Sequence, residues 1–234
     1  MPAYKYKLAK PGSLRVWPNW SGSFRSLING FHSHCVILHQ NTTRVKLLII
    51  DNYDSFTYNL YHYLVGYFDE TVVVKNDQAD SDIGREFDKI VLSPGPGLPS
   101  EAGIMPEIIA RWKHEKSILG VCLGMQGIAE HFGAKLINLK APMHGVESIV
   151  FPVKGIREAL FNGLPEQFSV GHYHSWAVDA TTLPNELIAT SFNNQGLLMS
   201  LRHNHYNLTG VQFHPESIMT PHGRAILVNW AKST

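Results

Sequence analysis

From Val45 onward the sequence is built on short apolar runs with no polar interruption, and these set the fold class. Lys46-Leu47-Leu48-Ile49-Ile50, Thr71–Lys75, Lys89–Leu92 and Ile118–Val121 are each of strand length. A strand with one wet face alternates in polarity, whereas a strand that is apolar throughout has to be covered on both faces. Segments of helical character lie between these runs: Ser55–Tyr67, with Asp54 or Ser55 as its N-cap, then Ile104–His114 and Leu123–Phe132. Such alternation predicts an α/β fold with an open, mostly parallel central sheet and helices on both faces. From Ala134 the predicted strands become shorter and more alternating: Lys135–Asn138, Ser148–Val153, Gln167–Val170, Leu187–Thr190, Leu197–Arg202 and Thr209–Phe213. A last helix is expected from Gly223 to Lys232. No internal repeat or low-complexity linker follows residue 45, so residues 45–234 read as one domain.

Residues 1–44 differ in kind. They hold six basic residues (Lys5, Lys7, Lys10, Arg15, Arg25 and Arg44) and no acid, and Pro2, Pro11, Pro18, Gly12, Gly22 and Gly30 break every candidate element. The formal charge of +1 for the whole chain therefore conceals a net of −5 on the rest, which carries 14 basic and 19 acidic residues. The basic residues are too dispersed for a polybasic surface, so neither nucleic acid nor a membrane is an expected partner. No apolar run approaches the ~18 residues of a membrane span. The segment reads as a disordered or non-native extension, such as an upstream stretch added by a misassigned start, ahead of an organellar transit peptide. The expected location is cytoplasmic, or organellar if residues 1–44 are a transit peptide. Two cysteines, Cys35 and Cys122, exclude a disulfide scaffold and a multi-cysteine zinc module.

Cys122 lies in Gly120-Val121-Cys122-Leu123-Gly124, directly after a buried strand and at the start of a helix. This is a nucleophile-elbow pattern with cysteine in place of serine. A sharp strand-to-helix turn lifts the central side chain above the sheet, and the helix N-terminus favours its thiolate. The N–H of Leu123, just after the nucleophile, is positioned to stabilise an oxyanion. A plain buried thiol is the bland alternative, and the two flanking glycines weigh against it. Cys35 has no such setting and reads as an incidental thiol.

A cysteine nucleophile needs a base. Of 13 histidines, His214 in Gly210-Val211-Gln212-Phe213-His214-Pro215-Glu216-Ser217 is the best placed, at the C-terminal end of a strand. Glu216, two residues on, can turn back and hold the imidazole. Three His-x-His pairs occur, His32/His34, His172/His174 and His203/His205, but no acidic or cysteine ligands cluster beside them, so no metal site is expected. Ser93-Pro94-Gly95-Pro96-Gly97 is neither a phosphate-binding loop nor a dinucleotide fingerprint. A rigid turn of this kind presents backbone N–H groups to a second side of an oxyanion or to one end of a small substrate; the alternative is a plain connector.

Taken together, the Gly-Val-Cys-Leu-Gly elbow, the Pro-Gly-Pro-Gly turn and Gly-Val-Gln-Phe-His-Pro-Glu-Ser resemble the class I (triad) glutamine amidotransferases. Ile50-Asp51-Asn52-Tyr53-Asp54-Ser55-Phe56-Thr57-Tyr58-Asn59-Leu60 narrows the resemblance to the glutaminase subunits of anthranilate synthase and aminodeoxychorismate (4-aminobenzoate) synthase. It runs from Val45 to Trp230. It implies a flavodoxin-like architecture, with Cys122 as nucleophile, His214 as base and acid, and Glu216 as the orienter of His214. It further implies an oxyanion hole from the N–H groups of Gly95 and Leu123, and a glutamine site formed by Gly95, Pro96, Gly97, Gln126, Ser175 and Trp176. The family usually has Leu where Trp176 stands, and a backbone contact would survive that change. Many relatives have Lys after His-Gly where this chain has Val146, in a region that faces the synthase subunit. The resemblance implies two partners, L-glutamine and a large chorismate-binding synthase subunit, with no cofactor in the small one.

Three other readings are open to the same residues. A γ-glutamyl peptidase acting alone would use the same scaffold and chemistry. A non-catalytic regulatory module would have no need of Cys122, His214 and Glu216 together. A dinucleotide-binding protein would share the fold class, but the phosphate fingerprint is missing.

Overall fold

The structure, a computed structural model, describes residues 44–233. The expectations for the extension, for Cys35 and for His32/His34 fall, apart from Arg44, outside the described residues. Among the described residues one nine-stranded sheet organises the fold: β1 (Lys46–Asp51), β2 (Glu70–Lys75), β3 (Lys89–Leu92), β4 (Ser117–Val121), β5 (Leu136–Pro152), β6 (Phe168–Val178), β7 (Leu187–Asn193), β8 (Leu198–His203) and β9 (Leu208–Val211). The spatial order is β2-β1-β3-β4-β9-β8-β7-β5-β6.

Neighbours from β2 to β9 pair in parallel, and β8, β7, β5 and β6 continue the sheet antiparallel. The expected parallel α/β core is therefore present, and the sheet as a whole is mixed. Strand alternation splits the apolar runs between two cores. Leu48 and Ile50 of β1 face one cluster, together with Ile90, Leu92 and Ile118; Leu47 and Ile49 face the other, with Val91, Leu119 and Val121.

Helices α2 (Met105–Trp112) and α3 (Leu123–His131) cover the first face. Their buried residues Met105, Ile108, Ile109 and Trp112, and Met125, Ile128 and Ala129, fall at helical spacing in the first cluster. Helices α1 (Thr57–Leu64) and α4 (Gly223–Lys232) cover the second, through Leu60, Tyr61 and Leu64, and Ile226, Leu227 and Trp230. The buried Lys89 ammonium donates to the carbonyls of Trp230, Ala231 and Ser233, satisfying backbone acceptors left open at the end of α4. Burial lowers its pKa to about 8. Among the described residues no helix is long and apolar enough to cross a membrane.

Two expectations need correction. The N-cap of α1 is Phe56, not Asp54 or Ser55. Asp54 instead accepts the Phe56 N–H at 2.7 Å, forming a turn one step ahead of the helix. The segments expected as Lys135–Asn138 and Ser148–Val153 are parts of one 17-residue strand, β5, which pairs with an 11-residue β6. Register shifts between Asn138 and Met143 and between His144 and Val146 break the alternation along β5, so its sequence reads as two short strands.

Candidate active site

Cys122 sits between β4 and α3 with φ 51° and ψ −101°, a backbone conformation that a side chain rarely adopts. Its N–H donates to the Val211 carbonyl at 2.7 Å, tying the elbow to β9, and its carbonyl accepts the Gln126 N–H at 3.0 Å in the first turn of α3. The two flanking glycines are required by close approach. A Cβ on Gly120 would lie 2.4 Å from the Gly124 carbonyl carbon, and one on Gly124 would lie 2.4 Å from the Leu92 carbonyl oxygen. The turn is thus packed from both sides, and Cys122 is 4% exposed. Leu123 opens α3, so its N–H belongs to the set that a helix leaves unpaired at its start.

His214 follows β9, and its N–H is held by the Gly171 carbonyl at 3.0 Å. Its Nδ1 lies 2.7 Å from Glu216 Oε1, with both side chains buried. Burial alone would lower the His214 pKa. Interaction with Cys122 and with Glu216 outweighs it and raises His214 well above the ordinary imidazole value. Nε2 has no hydrogen-bond partner among the described residues, so it is the nitrogen left to exchange a proton at the sulfur. The Phe56 and Tyr173 rings meet the imidazole edge-on, with centroids 5.9 and 5.0 Å away, and form an apolar cover.

Beside Cys122 lies a cavity of about 220 Å³ lined by Gly95, Pro96, Gly97, Cys122, Gln126, Tyr173, His174, Ser175 and Trp176. All six residues expected to bind substrate line it. His214 and Glu216 do not. The Pro-Gly-Pro-Gly turn is held against the loop after β1. The Asn52 N–H donates to Ser93 Oγ at 2.8 Å, Asn52 Nδ2 donates to the Ser93 carbonyl at 2.8 Å, and a Cβ on Gly95 would lie 2.5 Å from the Asn52 carbonyl oxygen. Asp51 Oδ1 in turn accepts the Tyr53 N–H at 2.9 Å and the Thr57 hydroxyl at 2.8 Å. The motif around Asp51-Asn52-Tyr53 therefore shapes the wall of the cavity without lining it.

Sequence reasoning missed Asn52, Tyr173, His174 and Gln212. Gln212 Nε2 lies 3.5 Å from Cys122 Sγ, its side chain fully buried. One signal was available for it: Gln212 stands two residues before His214 in the same short motif. The His-x-His pairs are otherwise engaged. His172 and His174 bond to each other at 3.2 Å, and His203 Nδ1 accepts the N–H groups of His205 and Tyr206. Among the described residues, no group of three or more His, Cys, Asp or Glu is placed to hold a metal. A larger cavity, about 450 Å³, is lined in part by Leu208, Thr209, Trp230 and Ser233 at the opposite ends of the strands from Cys122.

Comparison with known proteins gives a consistent result. The family model for glutamine amidotransferase class-I matches residues 48–233. The chain is 41% identical over 196 residues to the chloroplastic anthranilate synthase beta subunit 1 of Oryza sativa, covering 82% of this chain and 68% of that one. It is 43% identical to aminodeoxychorismate synthase component 2 of Klebsiella aerogenes, covering 79% and 98%. It is 41% identical to the aminodeoxychorismate/anthranilate synthase component 2 of Bacillus subtilis, covering 80% and 96%. Among solved structures, a candidate GMP synthase component from Thermoplasma acidophilum superposes with a TM-score of 0.71 at 29% identity, over 80% of this chain and 92% of that one.

Proposed function

The chain belongs to the class-I glutamine amidotransferase family, and we propose that it is the glutaminase subunit of a chorismate-aminating synthase. It hydrolyses L-glutamine to glutamate and passes the ammonia to a larger, chorismate-binding subunit. The observation that carries this reading is the meeting of three things at one point: Cys122 on its strained elbow, the buried His214–Glu216 pair, and a cavity lined by the Gly95–Gly97 turn. The synthase role is supported by relatives named as component 2 or beta subunit of such enzymes, at 41–43% identity. Names for anthranilate and for aminodeoxychorismate stand side by side among them, so the proposal is made at the chemistry the two share.

Glutamine enters the cavity with its side-chain amide over Cys122, held by Gly95, Pro96, Gly97, Gln126, Ser175 and Trp176. The thiolate adds to the amide carbon, and the N–H groups of Gly95 and Leu123 donate to the oxyanion. The carbon–nitrogen bond then breaks. His214, held as an imidazolium by Glu216, gives its proton to the departing nitrogen. Water, deprotonated by His214, opens the γ-glutamyl thioester, and glutamate leaves with the thiolate restored. Each proton and electron pair is handled by this chain's own residues and water, so the reading invokes no metal or cofactor. Ammonia protonates in bulk water at neutral pH and loses its nucleophilicity, which is the reason for a partner seated at the site.

Cys122→Ser, combined with the large subunit, is expected to lose glutamine-dependent synthesis while ammonium-dependent synthesis persists. Retained glutamine-dependent activity would overturn Cys122 as nucleophile. Rapid glutaminase turnover in the isolated chain, unchanged by the large subunit, would replace the synthase reading with a self-sufficient hydrolase.

A further inference from the structure

The buried polar side chains around Cys122 form a continuous chain of hydrogen bonds, and a backbone carbonyl fixes the direction of every link. Trp176 O can only accept. Gln126 Nε2 lies 2.8 Å from it, so the group presented there is the amide nitrogen. The same nitrogen lies 3.2 Å from the end of the Gln212 side chain, which must therefore be the oxygen. Gln212 then has one orientation left, with its amide N–H directed at Cys122 Sγ, 3.5 Å away. Both hydrogens of Gln126 are used in this way, and its Oε1 meets no donor among the described residues, leaving it as an acceptor for a ligand in the cavity.

A second arm converges on the same carbonyl. His174 Nδ1 lies 2.8 Å from Trp176 O and must donate. His174 Nε2 lies 3.2 Å from His172 Nδ1, and His172 Nε2 lies 2.7 Å from Ser148 Oγ. Burial lowers the His172 and His174 pKa values to about 3 and about 4, so both rings are neutral and each link has one donor: Ser148 to His172, His172 to His174, His174 to Trp176 O. Every side chain in the two arms is at least nine-tenths buried. The Trp176 carbonyl is thus clamped from both sides and cannot turn to release Gln126.

We propose that Gln212 is a positioning residue for the nucleophile, locked by Gln126 and the Trp176 carbonyl with its amide N–H on the Cys122 sulfur. The inference rests on the reading of Cys122 as nucleophile and deepens it. The amide fixes the direction of the sulfur and donates to the negative charge that gathers on it. A donor of this kind cannot come from His214 throughout the reaction, because His214 gives its proton to the leaving group. Gln212 keeps its hydrogen at every step.

The test is the rate at which iodoacetamide alkylates Cys122 as a function of pH, in the full-length chain without glutamine, read by peptide mass spectrometry so that Cys35 does not contribute. Gln212→Met keeps the length and loses the donor. Its alkylation rate near neutral pH is expected to fall about tenfold, the size of one hydrogen bond to a charged group, with the profile moved to higher pH. Gln212→Glu places an acceptor against the thiolate and is expected to fall further and shift more. With the large subunit present, kcat for glutamine falls in the same order while KM changes little. A purely structural role predicts no such order between two side chains of similar size. Where a variant does not fold, the wild type still decides: the Gln212 side-chain amide signals in a ¹⁵N spectrum are expected to move when Cys122 alone becomes Ser. Wild-type alkylation profiles in folded variants, or unmoved amide signals, overturn the proposal. Glutamine-dependent activity surviving in Cys122→Ser overturns the underlying reading instead.

Discussion

At the scale of single residues, a strained turn between strand and helix needs small neighbours on both sides of the nucleophile, and Gly120 and Gly124 supply them. The structure gives that need a geometry: the Gly120 and Gly124 Cβ positions would fall 2.4 Å from backbone atoms that cannot move aside. Gly120→Ala is therefore expected to cost about 1–3 kcal/mol, as overpacking does, and to slow Cys122 alkylation because α3 is pushed off the elbow. Gly66→Ala, whose Cβ would meet nothing within 4 Å, is the control and should leave both unchanged. Thermal unfolding together with the alkylation rate checks the pair. The glycine pair made the elbow legible in the sequence. Asn52 and Tyr173 have no such marker and were illegible, and Gln212 offered only its place two residues before His214. Their roles exist only once β1, β6 and β9 bring them to the turn, the cavity and the sulfur.

At the scale of elements, the helices and the parallel strands were readable because their apolar patterns are strong. Lys89–Leu92 is buried at all four positions, and the expected final helix matches α4 end to end. The β5–β6 ladder was not readable, because long stretches of β5 are exposed on both faces and bulges shift its register, which erases the period of two. That ladder carries the two buried neutral histidines, and they make a prediction about acid. An unfolded histidine takes up a proton near pH 6.5, whereas His172 and His174 in the fold do so only at about 3 and about 4. As pH falls below 6.5 the unfolded state binds more protons, so stability declines, by up to about 1.4 kcal/mol per pH unit for each histidine. The decline ends only as pH reaches the folded values. His172→Gln should remove about one proton from this slope between pH 6 and 4.5. Chemical denaturation at a series of pH values measures it, and an unchanged slope would mean that His172 is not held neutral.

At the scale of the whole molecule, the site is a product of strand order. Cys122 follows β4, His214 follows β9, the Gly95 turn follows β3, and β4 is the strand that lies between the other two. Segments far apart in the chain thereby reach one point at the carboxyl ends of neighbouring parallel strands, where open α/β sheets gather their ligands. The antiparallel extension then bends a second wall, Tyr173 to Trp176, over the cavity. Among the described residues, both cores and every site residue lie between Leu47 and Trp230, and the first strand is tied by its own neighbours. The Val45 N–H donates to Asp69 Oδ2 at 3.1 Å and the Lys46 N–H to Asp88 Oδ2 at 2.7 Å. A chain starting at Val45 would place a charged amino group against the Asp69 carboxylate, an exchange that keeps the contact and adds charge to it. The Val45 and Lys46 contacts predict that β1 stays paired when the chain begins at Val45, with glutamine hydrolysis retained, and a comparison of residues 45–234 with the full chain measures what residues 1–44 add. A lower midpoint in parallel thermal scans would show that residues 1–44 contribute to the fold, and equal midpoints with lost activity would assign them to the partner.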